Sequence, residues 1–255
     1  MVYLLFECLV ALHILGGVTG AVAFWVPVIG RKGGSLHIKA GRIFTRALLV
    51  TGTCAILMSL LTLAAPITTH PHLEGKFDET FIRGIFGWMM LYLGVLTLNL
   101  VWYGWLCALH RNDRMALREW RNLWSQPILV IAAANCVWQG WMADQMLMVA
   151  IAFVGFATAA TNLWFMFKPR LSKVDWQKEH LKALVGGGIS VYTAFMAFGS
   201  VRILPELALN PVMWAIPLSI GVSIIIYQWA KLDGYLRRFQ ARPLRCPRSE
   251  EHTSE

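Results

Sequence analysis

The chain alternates long apolar runs with short segments where charge, proline and glycine gather. A hydrocarbon core of about 30 Å takes roughly 20 apolar residues of helix to cross, at about 1.5 Å each. By that measure Tyr3–Ile29 is one span, Ile43–Ala65 a second stopped by Pro66, and Phe81–Leu109 a third, long enough to tilt. From Pro127 to Phe167 the apolar run holds 41 residues, too many for one crossing. Met142-Ala143-Asp144 divides it into a span over 127–143 and another over 145–167. Pro127 suits the first turn of its helix, where a missing N–H costs nothing. Ala183–Leu204, stopped by Pro205, is a sixth span, and Ala208–Ala230, kinked at Pro217, a seventh. The pattern predicts an all-α integral membrane protein, a seven-transmembrane helix bundle forming a single domain over 1–247.

Charge gives the bundle a direction. The segments 30–46, 111–121, 168–182 and 231–245 carry 19 Lys and Arg, whereas 66–83, 142–144 and 202–207 carry only Lys76, Arg83 and Arg202. Basic residues gather on cytoplasmic loops. This predicts an N-terminus outside, a C-terminus in the cytoplasm, and the inner (cytoplasmic) membrane of a bacterium. No charged region precedes Tyr3 and no cleavage site follows, so a signal peptide is not expected. Arg248–Glu255 reads as the in-frame translation of a sequencing-adapter oligonucleotide and is set aside. Removing its one Arg and three Glu from 23 basic and 14 acidic residues leaves 22 against 11.

Composition agrees. Hydrophobic residues make up 57% and charged residues 15%, against about 25% charged in a soluble domain, and the mean hydropathy is +0.54. Disordered, collagen-like and disulfide-stapled classes are excluded. Cys8, Cys54, Cys107, Cys136 and Cys246 are scattered without a C-x-x-C, so neither disulfides nor a thiolate zinc site is indicated. The basic loops are expected to meet anionic lipid. No RNA- or DNA-binding motif accompanies them, so nucleic acid is not an expected partner. The chain has no Walker A loop, G-x-S-x-G elbow or H-E-x-x-H, and no internal repeat of a transporter kind.

Ionisable groups within spans are expensive and usually paired. Glu7 is expected to pair with Arg83 or Arg202 near the outer surface, and Arg46 to snorkel at the inner one. Histidines carry the candidate chemistry, because neutral imidazole ligates metals and haem. His13 lies near mid-membrane, while His37, His110 and His180 fall at helix ends on one membrane face. The four are candidate cofactor-binding residues, and His37, His110 and His180 a candidate metal set. His13 is expected to face the bundle interior and to find a polar partner such as Asn135 or Tyr192. Each of His13 and His37 has a glycine four residues on (Gly17, Gly41), which leaves room for a planar ring or for a neighbouring helix. Gly16-x-x-x-Gly20 and Gly186-Gly187-Gly188 read as helix contacts. Asn99, Asn135, Gln139, Asn162 and Gln228 read as interhelical hydrogen-bonding groups, or as a polar substrate path. Trp25, Trp102, Trp105, Trp164 and Trp229 form an inner aromatic belt.

The motifs His13-Ile-Leu-Gly-Gly, His37-Ile-Lys-Ala-Gly-Arg-Ile-Phe and His180-Leu-Lys-Ala-Leu, followed by Ser190-Val-Tyr-Thr-Ala-Phe195, occur in that order. In this the chain resembles a family of uncharacterised bacterial multi-pass membrane proteins known as a domain of unknown function. The likeness covers the two ends of the chain and leaves 67–165 outside it. It implies an integral membrane protein with histidines at helix ends, and no particular substrate. Two functions of different class are expected to compete: a membrane redox or metal-dependent protein whose histidines hold haem b or a divalent metal, and a non-catalytic module or transporter whose histidines and amides only tie helices together.

Overall fold

The computed structural model describes residues 1–199 and 210–240. Every regular element among them is helical. Seven long helices follow one another: α1 Val2–Ile29, α2 Ser35–Ala64, α3 Glu79–Leu109, α4 Trp120–Met142, α5 Met146–Phe167, α6 Asp175–Gly199 and α7 Pro211–Gln240. Six are long and apolar enough to cross a membrane, all but α4. That helix has 23 residues, about 34 Å of rise, but opens on the polar stretch Trp120–Gln126. In space α1 lies beside α2, α2 beside α3, α3 beside α6, α4 beside α5, and α6 beside α7, with α3 the most buried of the six.

Three helices start earlier than hydropathy predicts: α2 at Ser35 rather than Ile43, α4 at Trp120 rather than Pro127, and α6 at Asp175 rather than Ala183. Their first turns are polar, so an apolar window misses them, yet nothing in them breaks a helix. Pro127 therefore sits inside α4 instead of in its first turn. The end of the sixth predicted span, the start of the seventh, Arg202 and the segment 248–255 lie outside the described residues.

Lipid offers no hydrophobic gain for helix association, so close backbone approach decides the packing. At Gly16 a Cβ would meet the Thr51 hydroxyl and the Ala47 carbonyl, and at Gly20 the Leu48 side chain. Gly52 and Gly94 face each other where α2 crosses α3, and Gly104 and Gly188 seat α6 against α3 and Phe24. The helix contacts expected at Gly16, Gly20 and Gly186–Gly188 are present.

At the end away from the basic loops, α3 and α6 each contain a π-helical stretch, Arg83–Met89 and Phe195–Gly199. The two touch through the edge of Phe86 on Phe198, centroids 6.3 Å apart. Arg83 does not reach Glu7. It donates to the Leu63 carbonyl and pairs with Glu79 one turn earlier at 3.3 Å, while Glu7 is exposed on α1. The expected pairing of Glu7 with Arg83 is thus replaced by a local i,i+4 pair, which needs no second helix.

Candidate functional site

The polar first turns of α2 carry the site. His37, Gly41 and Thr45 follow at four-residue spacing and so share one face. The His37 ring faces the Pro27 carbonyl at the end of α1, but Lys32 Nζ already donates to that carbonyl at 2.7 Å, and His37 Nδ1 is buried without a hydrogen-bond partner. One turn on, a Cβ at Gly41 would have nothing within 4 Å. A further turn on, Thr45 is 4% exposed and its hydroxyl also lacks a partner. Other hydroxyls of this helix behave differently: Thr51, Thr53, Ser59 and Thr62 each donate to the carbonyl four residues back. Buried polar groups are nearly always satisfied, so two orphans flanking an open glycine on one stripe are unusual.

His180, in the second turn of α6, lies within electrostatic reach of His37. Its Nδ1 lies 2.8 Å from the Gly104 carbonyl of α3. A neutral ring donates there through Nδ1–H, which leaves the Nε2 lone pair free, and a carbonyl-fixed tautomer of this kind is how ligating histidines are commonly oriented. The Trp176 ring flanks it at 6.5 Å.

The other two candidates do not join them. His110 occupies the C-cap of α3, six residues and about 9 Å of rise beyond Gly104. No three His, Cys, Asp or Glu side chains among the described residues come together as a metal-holding group. His37, His110 and His180 therefore do not meet as one group among the described residues, the end of α3 carrying His110 beyond the level of Gly104, where His180 binds. His13 does face the bundle interior, as expected, but its partner is the Thr51 carbonyl at 3.0 Å instead of Asn135 or Tyr192. The Tyr192 hydroxyl donates to the Ala21 carbonyl at 3.0 Å and accepts from Trp25 Nε1 at 2.6 Å. Gly17 meets Thr51 and Phe195, so the glycines after His13 seat neighbouring side chains and leave no slot for a planar ring.

Of two further polar sites, one was read in the sequence only in part and the other not at all. Asn162 Nδ2 of α5 donates to Asn99 Oδ1 of α3 at 3.1 Å and Gln126 Oε1 of α4 at 3.3 Å, while Asn99 Nδ2 reaches Ser125 Oγ at 3.1 Å. Asn122 joins through its backbone carbonyl, which accepts from Gln126 Nε2 at 3.2 Å, while its own Nδ2 donates to the Leu117 carbonyl at 2.6 Å. Asn99 and Asn162 fit the interhelical role expected of them. Asn122 and Gln126 were hidden in what looked like a loop, although their i,i+4 spacing was the available signal. The Oδ1 atoms of Asn122 and Asn162 are buried and unpartnered.

The second is His70, in the connection between α2 and α3. Its ring is 8% exposed, wedged between Phe6 (5.1 Å) and Phe86 (4.6 Å), with His72 at 6.0 Å and Thr69 Oγ1 3.0 Å from Nδ1. Burial, then the neighbouring His72, push its pKa down to about 4, against a smaller raising effect from the Pro66 carbonyl. No known protein family, curated protein or solved structure matches the chain.

Proposed function

We propose that the chain is a seven-span membrane redox protein that holds haem b or a metal ion between His37 and His180 at its basic end. What supports this reading is that His37 Nδ1 is buried and unpartnered beside the open flank of Gly41, while His180, oriented by the Gly104 carbonyl, lies within electrostatic reach of it. Such a group would supply one-electron chemistry, and the two imidazoles would be the residues that hold it. The chain's own contribution is to orient His180 through the Gly104 carbonyl and to keep the site beside cationic Lys32. In this reading α4 completes the seven crossings, the N-terminus lies outside, and the basic loops lie in the cytoplasm of a bacterium.

Two experiments test it. Protein purified from haem- and metal-replete cells is expected to show a Soret band or stoichiometric metal. His37→Ala and His180→Ala should each lose it, while His110→Ala should retain it. A colourless, metal-free wild-type preparation would overturn the cofactor reading. It would favour the transporter alternative, which the buried amides with their two unpartnered oxygens support independently. The seven-span topology is checked by cysteines introduced singly at Glu74 and Arg111, both exposed, in a background without Cys8 and Cys246. An impermeant maleimide should label position 74 in intact cells and position 111 only after permeabilisation. Equal labelling of the two would sink the seven-span arrangement.

A further inference from the structure

The last helix, α7, is the least buried of the six apolar helices and packs mainly on α6, which leaves a gap between it and α1. That gap is a groove of about 550 Å³, lined by Val28 of α1 and by Ser219, Ile220, Ser223, Ile224, Tyr227 and Gln228 of α7. Its floor is aliphatic, with Val28 and Ile224 packed onto the cluster formed by Phe24, Phe44, Leu48 and Val185. Helical periodicity continues the lining face from Tyr227 and Gln228 to Lys231, one turn closer to the basic end.

Lys32 waits at the same mouth from the other side. Its Nζ donates to the Pro27 and Val28 carbonyls at the end of α1, at 2.7 and 2.5 Å, so its charge is fixed beside the groove. Partial burial, then the nearby charge of Lys231, lower its pKa. An anion between two ammonium groups that repel each other would be favoured, and no acidic side chain among the described residues pairs with either. The ion pairs among the described residues leave out both lysines, and Asp233, two residues from Lys231, is held by Lys178 at 2.6 Å. The pattern is therefore an aliphatic trough open to lipid, with two unneutralised cations at the level of a headgroup.

We propose that the groove between α1 and α7 binds one anionic phospholipid, its phosphate between Lys32 and Lys231 and an acyl chain along Ile220, Ser223 and Ile224. This site has Lys32 in common with the surroundings of His37 but does not depend on any cofactor. Two like charges at the mouth make the headgroup selective, since a zwitterionic lipid brings its own cation into the same field.

Native mass spectrometry of the full chain in detergent tests it, with phosphatidylglycerol and phosphatidylcholine titrated in parallel. Wild type should retain phosphatidylglycerol at least five-fold better than phosphatidylcholine. Lys231→Gln, which leaves the Lys32 carbonyl bonds intact, should bring the two lipids level, and Lys39→Gln should not. Ser223→Phe, which fills the trough without changing charge, should lower retention of phosphatidylglycerol. Unchanged selectivity in Lys231→Gln would overturn the proposal. So would full displacement by glycerol phosphate, which would make the lysines a site for a free phosphate. A lipid-independent dimer lost in Ser223→Phe would overturn it too, by giving the groove to a second copy.

Discussion

Replacing Gly94 with leucine is expected to destabilise the bundle by about 3 kcal/mol, enough to deplete the folded protein in mild detergent. A Cβ there would lie 3.2 Å from the Gly52 carbonyl oxygen and 3.3 Å from the Ile56 amide nitrogen. Both are backbone atoms of α2, so no rotamer change relieves them, and α2 and α3 must separate. The separation propagates, because Gly52 seats against the Gly94 carbonyl from the other side. Gly41→Ala is the matched control. Its new methyl meets nothing within 4 Å, and alanine is a better helix former by up to about 1 kcal/mol, so stability should hold or rise. Thermal melts of the two variants in one detergent make the comparison. Equal melting temperatures would mean that the α2–α3 crossing is looser than its geometry.

The second large effect is a dependence on pH. His70 is neutral in its aromatic wedge, with a pKa near 4, while in the unfolded chain it takes up a proton near 6.5. Its folded value is depressed, and for a base that means the unfolded state binds more protons between those limits. The stability associated with the neutral ring is complete above pH 6.5 and drains as the pH falls toward 4, by on the order of 3 kcal/mol across that window. His70→Phe should keep the packing against Phe6 and Phe86 and abolish this loss. The measurement is the melting temperature at pH 7 and pH 4.5 for wild type and variant. A wild type as stable at 4.5 as at 7 would show that His70 is not confined in the wedge.

Hydropathy placed the apolar helices well, because crossing lipid demands long apolar runs, and Pro66 follows the end of α2 as expected, whereas Pro127 lies inside α4. It failed where a helix carries polar side chains inward. Trp120–Gln126 has the composition of a loop, yet Asn122 and Gln126 are buried in the amide cluster, so their polarity is spent between helices. The glycine motifs were legible as close contacts, but which of them seat a helix depends on rotation about the axis. Gly17 and Gly41 have the same spacing from a histidine, and only Gly41 is open. The level at which α6 meets α3 governs which histidines converge, and no local pattern encodes it. His70 escaped notice for a related reason: its wedge is assembled from three separate elements.

The π-helical stretches in α3 and α6 have a consequence for how this chain tolerates change. A π-turn stores one residue more than the α-helix needs to cover the same distance, so it is a place where register can be gained or lost locally. Removing one residue from 83–89 would return that turn to α-helix and leave Gly94, Asn99 and Tyr103 in phase with their partners. The same holds for 195–199 relative to Gly186–Gly188. Each of these helices is therefore divided into a fixed half, anchored by glycine contacts and amides, and an adjustable half that carries Phe86 or Phe198. Drift in length at the end away from the basic loops can be absorbed there without disturbing His37 and His180 at the other.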